Sequence, residues 1–177
     1  MSLRANIQVV ETMDVREQVL SRQYIMETLS IYKTQHIYLD SAKWNGSELI
    51  GWFRLEHYPF TKEEHIDYVT ASMLMLYLSQ LGYIYARILC ERNLLPSGIK
   101  IPIQDFFRLR DEGNIVFVTL DNIRFHQRIP ISDSLLQIKM RLNQMYVVKG
   151  NPIGDISFEV AEGVFSGSTR VAIILMN

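Results

Sequence analysis

The feature that most constrains this chain is a run of eighteen residues without a charged side chain, VTASMLMLYLSQLGYIYA at positions 69–86. Wound as a helix, the run presents large apolar groups in every direction, and such a helix is either fully buried or lies in a membrane. Its length only touches the lower limit for a membrane span, and its four polar side chains are a heavy load for lipid. We therefore expect a buried helix over residues 67–91 and no membrane span.

Segments with strand patterns surround this helix. Before it, residues 36–44 and 48–56 flank Asn45-Gly46, a dipeptide that tolerates the positive φ angles of tight hairpin turns. After it, residues 135–148 alternate apolar and polar side chains, which is the period-two pattern of a half-buried strand. Three further strands are predicted over residues 115–125, 156–164 and 169–176, with Ser166-Gly167 as the turn before the last.

Shorter helical signals complete the pattern. A helix is predicted over residues 15–30, with Asp14 as its cap and an apolar stripe of Val15, Val19, Met26 and Leu29. Residues 61–64 (TKEE) form a capping box, which places the start of the long helix near them. Residues 104–111 are predicted to make a short helical turn.

Composition excludes several function classes. The chain has 177 residues, of which 48% are hydrophobic and 21% charged, with a formal net charge of -1, as in an ordinary globular protein. Its 18 Lys and Arg are scattered among 19 Asp and Glu, so no nucleic-acid partner is expected. The single cysteine, Cys90, excludes an internal disulfide and is interpreted as a small buried hydrophobe. We expect no metal site and, without a secretory signal pattern, a cytoplasmic location.

The order of elements predicts an α+β fold of the hotdog type. An entirely apolar helix needs a sheet that curves around it, and successive strands joined by short turns pair antiparallel. The expected architecture is a long central helix wrapped by a curved antiparallel sheet of about six strands, with an extra N-terminal helix. Residues 1–177 form a single domain in this prediction, and residues 1–13 are an N-terminal tail.

The sequence also resembles a known family. The stretch LDNIRFHQRIPISDSLLQIKMRL resembles the strand–turn–strand of hotdog dehydratases and thioesterases. Within that superfamily, the segments HIYLDSAKWNGSELIGWFRLEH, DYVTASMLMLYLSQLGYIYA and IQDFFRLRDEGNIVFVTLDNIRFHQRIP resemble FcoT-like acyl-CoA thioesterases. The resemblance covers most of the chain from residue 32 onward. It implies an acyl thioester ligand on coenzyme A or acyl carrier protein, no further cofactor, and a homodimer.

The resemblance also implies site residues. Tyr32 matches a tyrosine of the FcoT-like acyl tunnel, and the family's two helix-borne asparagines are replaced here by Thr70 and Ser79. Tyr58 or Phe60 matches a second tyrosine. Hydroxyls still donate one hydrogen bond where the asparagine amides are missing, but the substitution departs from the family pattern.

The residues themselves leave alternatives open. His65 and Asp67, near the expected start of the long helix, are placed to act as base and orienting acid; alternatively, Asp67 and its acidic neighbours only favour the positive helix end. Ser79 and Gln80, in an apolar helix, need partners, and Ser72 adds a hydroxyl on the same helix. Those partners are either a polar ligand group or, for Ser79, a carbonyl of its own helix.

The resulting hypothesis is an enzyme that hydrolyses fatty acyl thioesters, with Tyr32, His65 and Ser79 as catalytic residues. The substrate-binding residues are Tyr58, Phe60, Asp67, Thr70, Ser72 and Gln80. An enoyl-thioester lyase, conjugate-addition or dehydratase-like enzyme is a second hypothesis. A non-catalytic acyl-thioester-binding protein is a third, because the long helix lacks the carboxylate that hotdog enzymes often place there.

Overall fold

A computed structural model of the protein describes residues 17–56, 67–96, 98–131 and 135–175. Its helices are α1 (Arg22–Thr28), α2 (Ala71–Glu91) and α3 (Ile103–Asp111), with a 3-10 turn at Thr34–His36. Its strands are β1 (Gln18–Val19), β2 (Leu39–Trp44), β3 (Glu48–Phe53), β4 (Ile115–Phe125), β5 (Leu136–Val148), β6 (Asn151–Val160) and β7 (Phe165–Ile173).

The described strands form one antiparallel sheet in the order β1-β2-β3-β5-β6-β7-β4. Apolar residues at alternating positions of the sheet, such as Leu49, Ile138, Met140 and Phe158, are buried in one core with α2. A long central helix held against an antiparallel sheet is the predicted hotdog architecture, and this prediction is confirmed. The sheet has seven strands because a two-residue strand, β1, is added to its edge.

Helix α2 begins at Ala71, later than predicted. The hydroxyl of Thr70 accepts a hydrogen bond from the amide of Met73 at 3.3 Å and so caps the helix. Asp67 lies in extended chain before the cap, and the capping box at residues 61–64 lies outside the described residues. By length and composition α2 is able to span a membrane, but 78% of its most apolar stretch is buried inside this fold, as in a core helix.

The N-terminal helix is shorter than predicted. The side chain of Ser21, not Asp14, caps α1 by accepting from the amide of Tyr24 at 3.1 Å, and the helix ends at Thr28. Val19 does not belong to an apolar stripe; it pairs with Lys43 in β1 and is 73% exposed. The apolar spacing is misleading at Val19 because the edge of β2 offers this residue a strand partner. Asp14 and Val15 lie outside the described residues.

The predicted turn at Ser166-Gly167 is wrong, since both residues lie inside β7. The turn falls at residues 161–164, where Ala161, Glu162 and Gly163 all have positive φ. Glycine is needed at position 167 for another reason: a Cβ there would lie 2.6 Å from the Phe158 ring. β6 also begins earlier than predicted, at Asn151.

Two buried arginines fix α1 against the rest of the fold. Arg110 donates to the carbonyls of Glu27 and Thr28 at 2.7 and 2.8 Å, at the C-terminal end of α1. Arg87 donates to the Thr28 hydroxyl at 2.9 Å, and its guanidinium lies 3.8 Å from the ring centroid of Tyr24. These contacts hold the segment after α1, which contains Tyr32, over α2.

Tyr85 provides a test of how the sheet is fastened to the helix. Its hydroxyl donates to the carbonyl of Ser47 at 3.0 Å and accepts from the amide of Leu142 at 3.0 Å, beside a register shift in the β5–β6 pairing. We expect Tyr85→Phe to lower the free energy of unfolding by about 2 kcal/mol, because two backbone groups lose their partner. Urea unfolding would measure this, with Tyr146→Phe on β5 as the control; equal losses in both variants would contradict it.

Candidate functional site

Helix α2 is not buried on all sides. Ser72 is exposed, and Met75, Leu76, Ser79 and Tyr83 are half-buried, whereas most of their neighbours on the helix are buried. Their spacing of three, four and seven residues places all five on one side of the helix. We call this set the open face of α2. It is apolar at Met75 and Leu76 and has hydroxyls at Ser72, Ser79 and Tyr83.

The structure brings Tyr32 and Ser79 together on the open face. Their hydroxyl oxygens are 2.7 Å apart, and either group is able to donate. The ring of Tyr83 lies edge-on to that of Tyr32, with centroids 6.3 Å apart. Ser79 therefore bonds to Tyr32, 47 residues away in sequence, which is neither the ligand group nor the carbonyl of its own helix that we predicted as alternatives.

Burial raises the pKa of Tyr32, although the hydrogen bond with Ser79 works in the opposite direction. The phenol is therefore protonated at neutral pH and is able to donate a hydrogen bond. Among the described residues, neither hydroxyl bonds to a carboxylate or an imidazole. This pair is suited to holding a carbonyl oxygen, but by itself it does not generate a nucleophile.

Gln80, the neighbour of Ser79, points away from the open face and stabilises the fold. It is fully buried, and its side-chain oxygen accepts from the amides of Tyr38 and Leu39 at 3.0 and 3.1 Å. Its side-chain nitrogen donates to the carbonyl of His36 at 2.6 Å. The partners of this amide are thus backbone groups before and at the start of β2, not the polar ligand group that we predicted, so Gln80 does not act as a substrate-binding residue on the open face.

A cavity of about 440 Å³ lies at the start of α2. It is lined by Tyr68, Val69, Thr70, Ala71, Phe125, Gln127, Arg128 and Phe165. The Arg128 guanidinium lies 4.9 Å from the centroid of the Tyr68 ring, so a cation stands beside an apolar wall. The open face begins one residue after Ala71, so the cavity and the face are adjacent.

The site residues predicted at the start of α2 lie in different environments. Thr70 is both the helix cap and a cavity wall, and Ser72 is exposed at the start of the open face. Asp67 is exposed, and its backbone carbonyl accepts from the amide of Ile131 at 2.7 Å. Sequence reasoning missed Arg128, whose segment carried the family resemblance but gave no sign that it returns to the helix start.

Three predicted site residues, Tyr58, Phe60 and His65, lie outside the described residues and stay predictions. Within the described ranges, no three His, Cys, Asp or Glu side chains are grouped so that they could hold a metal ion. Cys90 is buried, as expected of a small hydrophobe, and burial raises the pKa of its thiol to about 12.

Comparison with other proteins gives similarity in structure only. No family model and no curated protein matches the sequence. A thioesterase superfamily protein from Shewanella loihica is 13% identical, with a TM-score of 0.45 over 84% of this chain and 99% of that chain. The HP0420 homologue from Helicobacter felis is 11% identical, with a TM-score of 0.49 over 86% and 91% of the two chains.

A third similar structure is a hypothetical thioesterase protein with coenzyme A from Streptococcus pneumoniae. It is 11% identical, with a TM-score of 0.40 over 73% of this chain and 79% of that one. At such identities and TM-scores, the fold assignment rests on the helix and strand order of this chain itself.

Proposed function

We propose that the protein binds acyl thioesters and hydrolyses them, with the hydroxyls of Tyr32 and Ser79 directed at the thioester carbonyl. The observation that carries this proposal is the 2.7 Å hydroxyl pair on the open face of α2. Polar donors in an otherwise apolar groove are typical of sites that orient a largely apolar ligand by a single polar group.

The reaction requires little covalent chemistry from the protein. Water adds to the carbonyl carbon, and the oxyanion that develops accepts a hydrogen bond from whichever hydroxyl of the Tyr32–Ser79 pair does not donate to the other. The C–S bond then breaks. The thiolate leaves with a proton from the attacking water, which yields a carboxylic acid and a free thiol. In this proposal His65 acts as the base that removes the proton from water.

The open face provides for the acyl chain. Met75 and Leu76 lie between Ser72 and Ser79, a separation of about 10 Å along the helix axis, which is long enough for a medium-length chain. The carrier in this proposal is coenzyme A or the phosphopantetheine arm of an acyl carrier protein. We also propose that the protein is a homodimer and is located in the cytoplasm.

A second candidate function, binding without turnover, is favoured by one observation. In the part of the chain that the structure describes, no carboxylate or imidazole contacts the Tyr32–Ser79 pair. A protein that only senses or carries an acyl thioester needs the hydrogen bond to the carbonyl and no base.

The experiment measures release of free thiol from acyl-CoA substrates of graded chain length. We expect turnover by the wild type and at least a tenfold lower kcat/KM for Tyr32→Phe, because one hydrogen bond to the oxyanion is lost. Ser79→Ala should lower kcat/KM by a similar factor. In the double variant, kcat/KM should fall by less than the product of the two single factors, since the two hydroxyls act together.

Tyr146→Phe serves as the matched control, because Tyr146 is a half-exposed tyrosine on β5 away from the open face. Its kcat/KM should equal that of the wild type. Saturable acyl-CoA binding without thiol release at any chain length would contradict hydrolysis and support the second candidate. The absence of both binding and turnover would overturn the two together.

A further inference from the structure

A groove lies on the outer face of the sheet, on the side away from α2. Its volume is about 650 Å³, and it runs over β3, β5, β6, β7 and β4. Lys139 and Arg141 on β5 alternate with Ile138 and Met140, which are buried in the core, so the two basic side chains point away from α2. The groove is therefore separate from the open face and from the cavity at the start of α2.

Side-chain size explains why this face has a groove. Three small residues on neighbouring strands form the floor: Ser157 on β6, and Ser166 and Ser168 on β7. Longer side chains stand on both sides of them. On the far side, β4 has a register shift between Asp121 and Arg124, and Asn122 within it has a φ of 54°. This bulge bends the edge strand that carries Arg124.

The strand register places two arginines at opposite sides of the hydroxyl floor. Arg141 pairs with Ser157, and Ser157 pairs with Ser168 on the next strand. Arg124 pairs with Ser166 from the other side. The strands of Arg141 and Arg124 are three positions apart, roughly 14 Å between backbones. Arg124 pairs with Ser166, two residues along β7 from the Ser168 of the Arg141 row, so the two long side chains approach each other diagonally across the floor.

The charges of the groove leave these arginines available. Lys139 is 4.0 Å from the carboxylate of Glu159, so these two opposite charges offset each other within the groove. Glu48 pairs with Arg141 on the side away from the serines, and no ion pair within 4.0 Å joins them. Among the described residues, neither Arg124 nor Arg141 forms a salt bridge or a side-chain hydrogen bond.

We propose that this groove binds the phosphate group of a small ligand, which Arg124 and Arg141 contact from opposite sides above Ser157, Ser166 and Ser168. A guanidinium offers two parallel N–H groups that match two phosphate oxygens, and the Ser166 hydroxyl donates to a third oxygen. The hydroxyl of Ser157 donates to the Asn143 side chain at 3.1 Å and that of Ser168 to the Asp121 carbonyl at 3.5 Å, so in this proposal both rotate toward the phosphate when it binds. The carboxylate of Glu159, which pairs with Ser166 beside the floor, accepts hydrogen bonds from hydroxyls next to the phosphate. A phosphorylated metabolite with free hydroxyls therefore fits better than inorganic phosphate alone.

Isothermal titration of the full chain at low ionic strength tests the site with inorganic phosphate and with glycerol 3-phosphate as probes. We expect saturable binding of both, tighter for glycerol 3-phosphate. Arg124→Gln and Arg141→Gln should each weaken binding at least tenfold, because a charge-assisted contact is lost. Glu159→Gln should reduce the difference in affinity between glycerol 3-phosphate and inorganic phosphate.

Arg170→Gln is the control, since Arg170 is an exposed arginine on the same strand as Ser166 and Ser168 and does not line the groove. It should leave both affinities unchanged. An equal loss in Arg170→Gln would show general charge attraction and overturn the site, as would the absence of saturation with either probe. Equal affinities for the two probes would keep the anion site but overturn the preference for a hydroxylated metabolite.

Because binding to the groove is measured directly, this result does not depend on thioester turnover. Loss of turnover in Tyr32→Phe with unchanged binding of glycerol 3-phosphate would support two separate sites. If acyl-CoA instead competed with glycerol 3-phosphate, and Arg124→Gln removed this competition, one ligand would occupy both the open face and the groove. The independence of the two sites would then be overturned.

Discussion

Replacing Gln80 by leucine is expected to lower the free energy of unfolding by about 4 kcal/mol, because two buried backbone amides and one partly buried carbonyl lose their partner together. The side chain is fully buried and joins the amides of Tyr38 and Leu39 and the carbonyl of His36 to the middle of α2. Leucine has a similar volume and creates no cavity. The loss in free energy of unfolding therefore reflects the unpaired backbone groups rather than a change in packing.

Urea unfolding of Gln80→Leu would measure this loss, and Gln104→Leu provides the matched control. Gln104 lies exposed on α3, so the same chemical change there should cost less than 1 kcal/mol. A loss below 1 kcal/mol for Gln80→Leu would mean that the start of β2 finds other hydrogen-bond partners and that Gln80 does not fasten it to α2.

The central helix and the first hairpin were predictable because local sequence decides both. A charge-free run of this length has few other places in a globular fold, and Asn45-Gly46 specifies a tight turn. The structure has Gly46 at a φ of 96°, and the strands on both sides end within a few residues of the predicted positions. β4 has the predicted bounds, 115–125.

The errors fall where tertiary contacts override local pattern. Val19 fits a helical stripe, but the free edge of β2 recruits it into a strand. Gly167 is typical of a turn, yet it lies inside β7 because the Phe158 ring occupies the space of a side chain. Neither the free edge nor the position of the ring is readable from the residues nearby.

In the candidate site, too, local sequence predicted one part, and tertiary contacts decided the other. Sequence singled out Ser79 and Gln80 as polar residues that need partners in an apolar helix, and the described structure provides partners for both. It did not indicate which of the two faces outward. Adjacent helical residues differ by about 100° in direction, and only the position of the sheet and of α1 determines that Ser79 meets Tyr32 while Gln80 is enclosed.

Alkaline pH is expected to unfold the protein between about pH 10 and 11, through buried groups that are neutral in the folded state. Burial raises the pKa of the Cys90 thiol from 9.0 to about 12. Burial also raises the pKa of Tyr77 and Tyr85 above the ordinary value of 10.0. All three residues are nearly inaccessible to solvent.

A group whose pKa is higher in the folded state holds its proton longer than in the unfolded chain. Its contribution to stability is complete below the unfolded pKa and is lost as the pH rises toward the folded value. The loss begins near pH 9 for Cys90 and near pH 10 for the two tyrosines, at about 1.4 kcal/mol per pH unit for each group. At pH 11 the three together cost about 5 kcal/mol, which is comparable to the total stability of an ordinary domain.

The free energy of unfolding, measured by urea titration at pH 8 to 11, should therefore fall slowly above about pH 9 and steeply above about pH 10. Cys90→Ala removes the first group, so its decline should begin one pH unit later, and Tyr85→Phe should make the later decline shallower. A wild-type stability that stays constant up to pH 11 would mean that water reaches these side chains in the folded state. The core around α2 would then be open to solvent where the structure shows it closed.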